Sequence, residues 1–431
     1  MSVRTLSSAL LLLGLMAIAT PVAATTLAIV GARVLPAPDV DPIDAGVVLV
    51  REGRIVAVGP AESVEVPADA EVVDARGATL TAGFWNSHVH FLAPVMSRAA
   101  PSAPEVLEAA LAEMLGRWGF TTVFDLSSLQ DDAAGVRARI ESGEVAGPAI
   151  LHVGAPFFPA DGTPVYVRDR IEAAGGPSAE VADPAAGAAR ATRQIADGAD
   201  GVKLFAGAIV GGEVGVQAMD IAVAQAVAGA ARQAGKPVFA HPTNREGLEV
   251  ALAAGVDVLT HVAPQAGVLD ATMLERLHAA DVALIPTLGL FEVELARERL
   301  PPDVVAQVLT TAVSQVRDYA AVGGTLLFGT DVGYIERADT GREYALLVDA
   351  GLDWRAILAM LTTAPAARFG QAEATGRVMP GMRADLVLLD GDPTRDPSAF
   401  ADVRLTLREG RALYRKSSRR SRTDAGEDDG R

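Results

Sequence analysis

A chain of 431 residues, half of them hydrophobic but only 5% aromatic, can bury a full-sized core and suits helices packed on parallel strands better than an all-β shell. Its formal charge of −17 repels phosphate backbones, so nucleic acid is not an expected partner. With no cysteine there is no disulfide framework, no thiolate metal site and no cysteine nucleophile, and any metal must be held by nitrogen and oxygen.

The first residues, Met1-Ser-Val-Arg4, carry one positive charge, the apolar run Leu10 to Ala19 follows, and small residues stand at Val22 and Ala24. This order describes a secretory leader over residues 1–24, cleaved after Ala24. The apolar run is too short to span a bilayer comfortably, which weighs against an uncleaved anchor. Cleavage removes one basic residue, Arg4, and no acidic one, so −17 becomes −18. The mature chain is expected to be secreted or periplasmic and free of the membrane.

From Thr26 to Leu80 the pattern is strand-like: Leu27 to Val30, Gly46 to Val50, Arg54 to Val58 and Ala70 to Asp74 are short β-branched runs broken by Gly, Pro and Asp. Two similar runs return only near the end, Ala384 to Leu389 and Val403 to Leu407. Two strands alone are marginal, so residues 25–80 and 366–414 are expected to combine into one composite β-sandwich domain.

Between them, residues 81–365 alternate short apolar runs with longer amphipathic stretches, the sign of βα units. Eight strands are predicted: Phe84 to Phe91, Thr121 to Leu126, Ala149 to Val153, Gly201 to Phe205, Pro237 to His241, Val256 to His261, Val282 to Pro286 and Thr325 to Thr330. Helices are predicted between them, including Pro104 to Trp118, Ala185 to Ile195, Ala218 to Ala234 and Asp303 to Ala321. Eight repeats in about 280 residues is the arithmetic of an α/β fold of the (β/α)8 TIM-type barrel, with a doubly wound open sheet as competitor. Residues 415–431 are polar and charge-blocked and read as a disordered tail.

Of the six histidines, four fall at predicted strand ends: His88 and His90 on the first, His241 on the fifth and His261 on the sixth. Asp331 follows the eighth. In a barrel all strand ends open on one mouth, so these residues would share a small volume. His88 and His90 are two apart on a strand and point to the same face, where two neutral imidazole nitrogens suit a borderline cation such as zinc. A pair of structural histidines would instead leave buried polar atoms unsatisfied.

Lys203 ends the fourth strand among apolar neighbours. An ammonium beside two cations is electrostatically intolerable, whereas a neutral lysine carboxylated by CO2 becomes an anionic carbamate able to bridge two metals. The alternative is a lysine paired with a buried carboxylate. Asp331 can ligate a metal and take a proton from bound water; otherwise it caps the next helix. His278 reads as a surface residue and His152 as a core or supporting one.

These residues carry a resemblance. Gly83-Phe-Trp-Asn-Ser-His88-Val-His90-Phe, Gly119 to Asp125, Gly201-Val-Lys203, Ala240-His241, Thr260-His261 and Gly329-Thr-Asp331 resemble, in order, the motifs of the amidohydrolase superfamily, in its prolidase-like and imidazolonepropionase-like branch. The flanking segments Val47 to Val58 and Met379 to Leu386 do too. The resemblance implies that His88, His90, Lys203 and Asp331 hold one divalent metal ion and Lys203, His241 and His261 a second, most simply two Zn2+, with a bridging hydroxide.

The expected function is cleavage of an amide-type C–N bond in a small-molecule substrate, such as a dipeptide or N-acyl amino acid. Asp331 would move the proton from water to the departing amine, and Tyr166, in the loop Phe157 to Val167 after the third strand, could donate to the oxyanion. Single-metal opening of a cyclic amide or lactone, ring deamination, and a non-catalytic metal- or solute-binding barrel are the competing readings. A homo-oligomer is compatible with the sequence.

Overall fold

The computed structural model describes residues 26–417 apart from 99, 129, 176 and 177. The expected leader and residues 418–431 of the expected tail lie outside these.

The chain first builds the strands Leu27–Val34, Ile43–Arg51, Arg54–Pro60, Glu71–Asp74 and Thr79–Ala82, and returns at its end with Leu386–Leu389, Val403–Arg408 and Arg411–Arg415. All eight belong to one sheet. Leu386–Leu389 lies antiparallel to Thr79–Ala82, which joins the two ends of the sequence. Leu27–Val34 is the branch point: Leu27 to Val30 pair with Glu71–Asp74, whereas Arg33 and Val34 pair with Thr79 and Leu80. One face buries Ile29, Val48, Leu80 and Leu386, and the other buries Ala28, Val47 and Leu49, so the alternation along each strand serves two apolar layers. Arg415, expected to open the tail, ends the last strand, and Lys416 pairs with Asp390 and Asp402.

Between these segments lies a TIM-barrel-like α/β body. Its strands are Phe84–Val89, Phe120–Asp125, Ala149–His152, Val202–Phe205, Val238–His241, Val258–Thr260 and Ala283–Ile285, paired parallel as arcs of three and four. The predicted eighth strand does not form a regular ladder. It is reduced to isolated bridges, Leu284↔Leu326 and Val89↔Val332, because each flank offers only occasional partners. Those partners still join the arcs: Leu327 N donates to Leu284 O, and Ser87 N donates to Phe328 O. On the other side Phe157 N donates to Lys203 O and Asp200 N to His152 O.

Helices begin where the sequence supplies caps. Asp183, Asp220, Asn244, Asp270 and Asp353 each accept a backbone N–H of the helix they precede. Strand residues alternate between two cores. Val202, Leu204, Leu259 and Leu284 face the helices, while Phe124, Phe239, Val258, Ile285 and Leu327 fill the interior. Phe369 closes the interior against Phe124 and Phe239, with ring centroids 5.0 and 5.8 Å away, and stacks on Trp85.

His152 shares its outward face with Ile150 of the helix-facing core and has no part at the mouth. His278 lies in the helix Ala271–Ala279 and is exposed. No helix among the described residues is long and apolar enough to cross a membrane.

Candidate metal centre at the strand ends

Six side chains converge where the strands end. His88 Nε2 lies 3.2 Å from His90 Nε2, and Asp331 Oδ1 lies 3.3 and 2.7 Å from the two. His261 Nε2 is 3.9 Å from Asp331 Oδ2, with its ring 4.6 Å from that of His88 and 4.7 Å from that of His241. His241 stacks on Phe205 at 4.8 Å. Lys203 and Phe205 share the inward face of the fourth strand, in register with Phe239 and His241 of the fifth. His88, His261 and Asp331 offer ligand atoms that all lie within 4.8 Å of one another.

Backbone placement at these ends is unusual. His261, Thr287 and Asp331 have φ of 75°, 48° and 63°, in the left-handed region that non-glycine residues seldom adopt. Such strain persists only where surrounding contacts over-determine it. Gly329, just before Asp331, approaches the first strand so closely that an added Cβ would lie 2.9 Å from His88 Cβ and 2.4 Å from Ile285 Cγ2. Gly329→Ala should therefore cost about 1–3 kcal/mol and displace His88. Urea unfolding and metal content per chain would check both effects.

Tautomers follow from the supporting contacts. Thr287 Oγ1 donates to Pro286 O, so at 2.6 Å from His261 Nδ1 it accepts that proton. His90 Nδ1 likewise donates to Ser127 O at 3.1 Å. Both rings then turn a bare Nε2 lone pair toward the cluster. The 2.7 Å approach of His90 Nε2 to Asp331 Oδ1 is a contact between two acceptors, and Asp331 Oδ1 accepts no hydrogen bond. A cation between them removes the repulsion. The donor set of imidazoles and carboxylate suits a divalent ion such as zinc, so the residues fit the metal that the fold implies.

Electrostatics agree. Burial pushes His88, His241 and His261 well below the ordinary histidine value, and the charge of Lys203 pushes each further down. They are neutral, as ligands must be. Burial also brings Lys203 down to about 7, against the pull of Asp331 and Asp125. Among the described residues Lys203 forms no ion pair, and its Nζ lies 5.5 Å from the Phe205 ring. The buried carboxylates that attract its charge, Asp331 and Asp125, both stand beyond ion-pair distance.

A pH dependence follows. The histidines titrate near 6.5 when unfolded but far lower when folded, so below about 6.5 only the unfolded chain takes up their protons. Buried Asp125, raised to about 6, and buried Glu343, raised to about 7, work in the opposite sense, as does Asp385, also raised by burial. His152, lowered by burial, sides with the three histidines, so four groups set the trend against three. The urea midpoint of metal-free protein should fall as pH drops from 6.5 to 5, and stay level if the histidines are exposed.

Several supporting residues were not singled out from sequence. Asn86 Nδ2 donates to Thr330 Oγ1 at 2.7 Å, while its Oδ1 accepts from the backbone N of His88 and Thr330. Asp125 Oδ1 accepts from Ser128 Oγ at 2.7 Å, shaping the turn that offers Ser127 O to His90. Polar residues inside apolar strands were the available signal for both. Nothing in the sequence marked Thr287. Tyr166, expected in a loop, stands instead in the first turn of the helix Val165–Ala174, 5.5 Å from the Tyr334 ring, which lies 6.5 Å from that of His90. Burial, reinforced by Tyr334 and Asp331, keeps its hydroxyl protonated.

A barrel-like fold with a buried nitrogen–oxygen cluster at its strand ends is an arrangement that could hold a divalent metal at the mouth of an enzyme barrel. The chain belongs to the Amidohydrolase family, whose profile matches residues 79–413. Among its sequence relatives is an ochratoxinase of Aspergillus niger, 28% identical over 180 residues that span 40% of this chain and 36% of that protein. The match thus covers about a third of the relative's length. The fold is similar to that of a putative prolidase from Bifidobacterium longum, with TM-score 0.75, 24% identity and coverage of 91% and 95% of the two chains. It is also similar to a Xaa-Pro dipeptidase with bound methionine in the active site, with TM-score 0.76, 21% identity and coverage of 91% and 100%.

Proposed function

We propose that this enzyme hydrolyses an amide-type C–N bond of a small substrate, a dipeptide or N-acyl amino acid, with two divalent metal ions. The observation that carries the reading is the facing pair of acceptors, His90 Nε2 and Asp331 Oδ1, at 2.7 Å among three further neutral imidazoles. His88, His90, Lys203 and Asp331 would hold one ion, and Lys203, His241 and His261 the other. Similarity to a prolidase, a Xaa-Pro dipeptidase and an ochratoxinase supports the choice of bond.

Bound divalent cations, zinc in this reading, supply Lewis acidity that lowers the pKa of water and polarises a carbonyl. The remaining work falls to the protein. The Lys203 ammonium first gives up a proton to solvent; the neutral amine then attacks CO2 and releases a second proton to solvent as the carbamate forms, so that a positive charge is replaced by a negative one. Asp331 takes the proton of the attacking water and passes it to the departing amine. Tyr166 donates its hydroxyl proton toward the developing oxyanion.

The test is reconstitution. Metal-free protein loaded with zinc and supplied with dipeptide, N-acyl amino acid and lactone panels should cleave the amides and hold two ions per chain. Lactone opening at one ion per chain would replace this reading with the single-metal one. Tyr166→Phe should lower kcat about 10-fold or more if its hydroxyl meets the oxyanion, and leave it unchanged if the ring only packs.

A further inference from the structure

Glu343 lies in the helix Gly341–Asp349, is 4% exposed, and forms no ion pair among the described residues. A lone buried carboxylate is costly, and its two oxygens are spent on one feature. Oε1 accepts the backbone N–H of Leu288 at 2.9 Å and Oε2 that of Gly289 at 2.7 Å. These amides open the helix Leu288–Arg297, whose preceding residue, Thr287, makes no side-chain cap. Glu343 does the capping from another helix. Thr287 is thereby free to act elsewhere. Held left-handed at φ 48°, it turns its hydroxyl to His261 Nδ1 at 2.6 Å.

From this chain of contacts we infer that Glu343 is a positioning residue for the metal centre, fixing the Thr287 turn so that His261 presents Nε2 to the ion. The inference rests on the metal reading of the site. A second tie joins the same two helices at the surface, where Arg342 Nε donates to Glu292 Oε1 at 2.7 Å. It provides the control, because it fastens the helices without touching the Thr287 turn.

Glu343→Gln keeps the shape but sets a side-chain NH2 against a backbone N–H. The measurement is zinc affinity of the folded, metal-free protein, by competition with a chromogenic chelator. Glu343→Gln should weaken zinc about 10-fold to 100-fold, the usual range for partners that orient a ligand. Thr287→Val should do the same, and the double variant should lose no more than the larger single loss. Arg342→Gln should lower the Tm while leaving zinc affinity unchanged.

The inference is overturned if Glu343→Gln binds zinc as tightly as the parent, or if Arg342→Gln weakens zinc equally, since either result makes Glu343 a packing group. Should Glu343→Gln not fold, Thr287→Val together with Arg342→Gln decides by the same criteria. A parent protein that binds no zinc would instead sink the metal reading, a separate outcome.

Discussion

Asp331→Asn should lower kcat by about a thousand-fold while leaving KM nearly unchanged and retaining at least one ion. Among the described residues Asp331 is the one carboxylate that reaches both His88 and His90, at 3.3 and 2.7 Å, and general acid–base assistance from one group is worth about 10²–10⁴ in rate. Asparagine keeps an oxygen able to face a cation but cannot take a proton from water. In metal-free protein the sign reverses. The new NH2 can donate to the bare Nε2 of His90, replacing an acceptor–acceptor contact by a hydrogen bond, so the metal-free variant should be about 0.5–1.5 kcal/mol more stable than the parent. Steady-state kinetics, metal analysis and urea unfolding check the three parts. Full activity in Asp331→Asn would remove the proton-transfer role.

Lys203→Ala should abolish turnover and reduce metal content from two ions per chain toward one. The side chain is 1% exposed and without an ion pair, and burial holds its amine near 7, where an appreciable fraction is neutral. A neutral amine can combine with CO2, and a carbamate would supply the negative charge that the two proposed cations require. Short carboxylates added to Lys203→Ala should then recover part of the activity by occupying the space the carbamate leaves. Lys203→Arg should not be rescued, since guanidinium stays positive and fills that space. A carbon-13 carbamate signal from parent protein prepared in labelled bicarbonate would be the direct sign. Undiminished metal binding by Lys203→Ala would overturn the assignment.

Much of this was legible because barrel topology turns sequence order into spatial order. His88, His90, His241, His261 and Asp331 are polar residues at the ends of apolar runs, and parallel strands must bring such ends together. Seven of the expected strands form, with boundaries shifted by a residue or a few. The eighth forms no regular strand, although Thr325 to Thr330 still bonds to Leu284 on one flank and to Ser87 and His88 on the other, because its pairing is confined to single bridges. The hairpin Gly207–Gly211 with Gly215–Ala218 was missed because its glycines and small residues carry little alternation. The helix holding Tyr166 was missed because the residue before it is Pro164, whose side chain has no acceptor to announce a helix start. What the sequence hid altogether was the support: Thr287 matters through a positive φ and Glu343 through a contact 55 positions away, neither of which leaves a local pattern.

Asn86 and Thr330 clasp across 244 residues of chain, where the first barrel strand meets the last segment. During synthesis, therefore, His88 and His90 leave the ribosome long before Asp331, the acid that would complete the proposed chelate. An ion caught early would meet only imidazoles on a nascent segment and could exchange freely. In the proposed centre firm capture would wait for ring closure, and the rate of metal release from the finished protein would then measure how seldom that seam reopens.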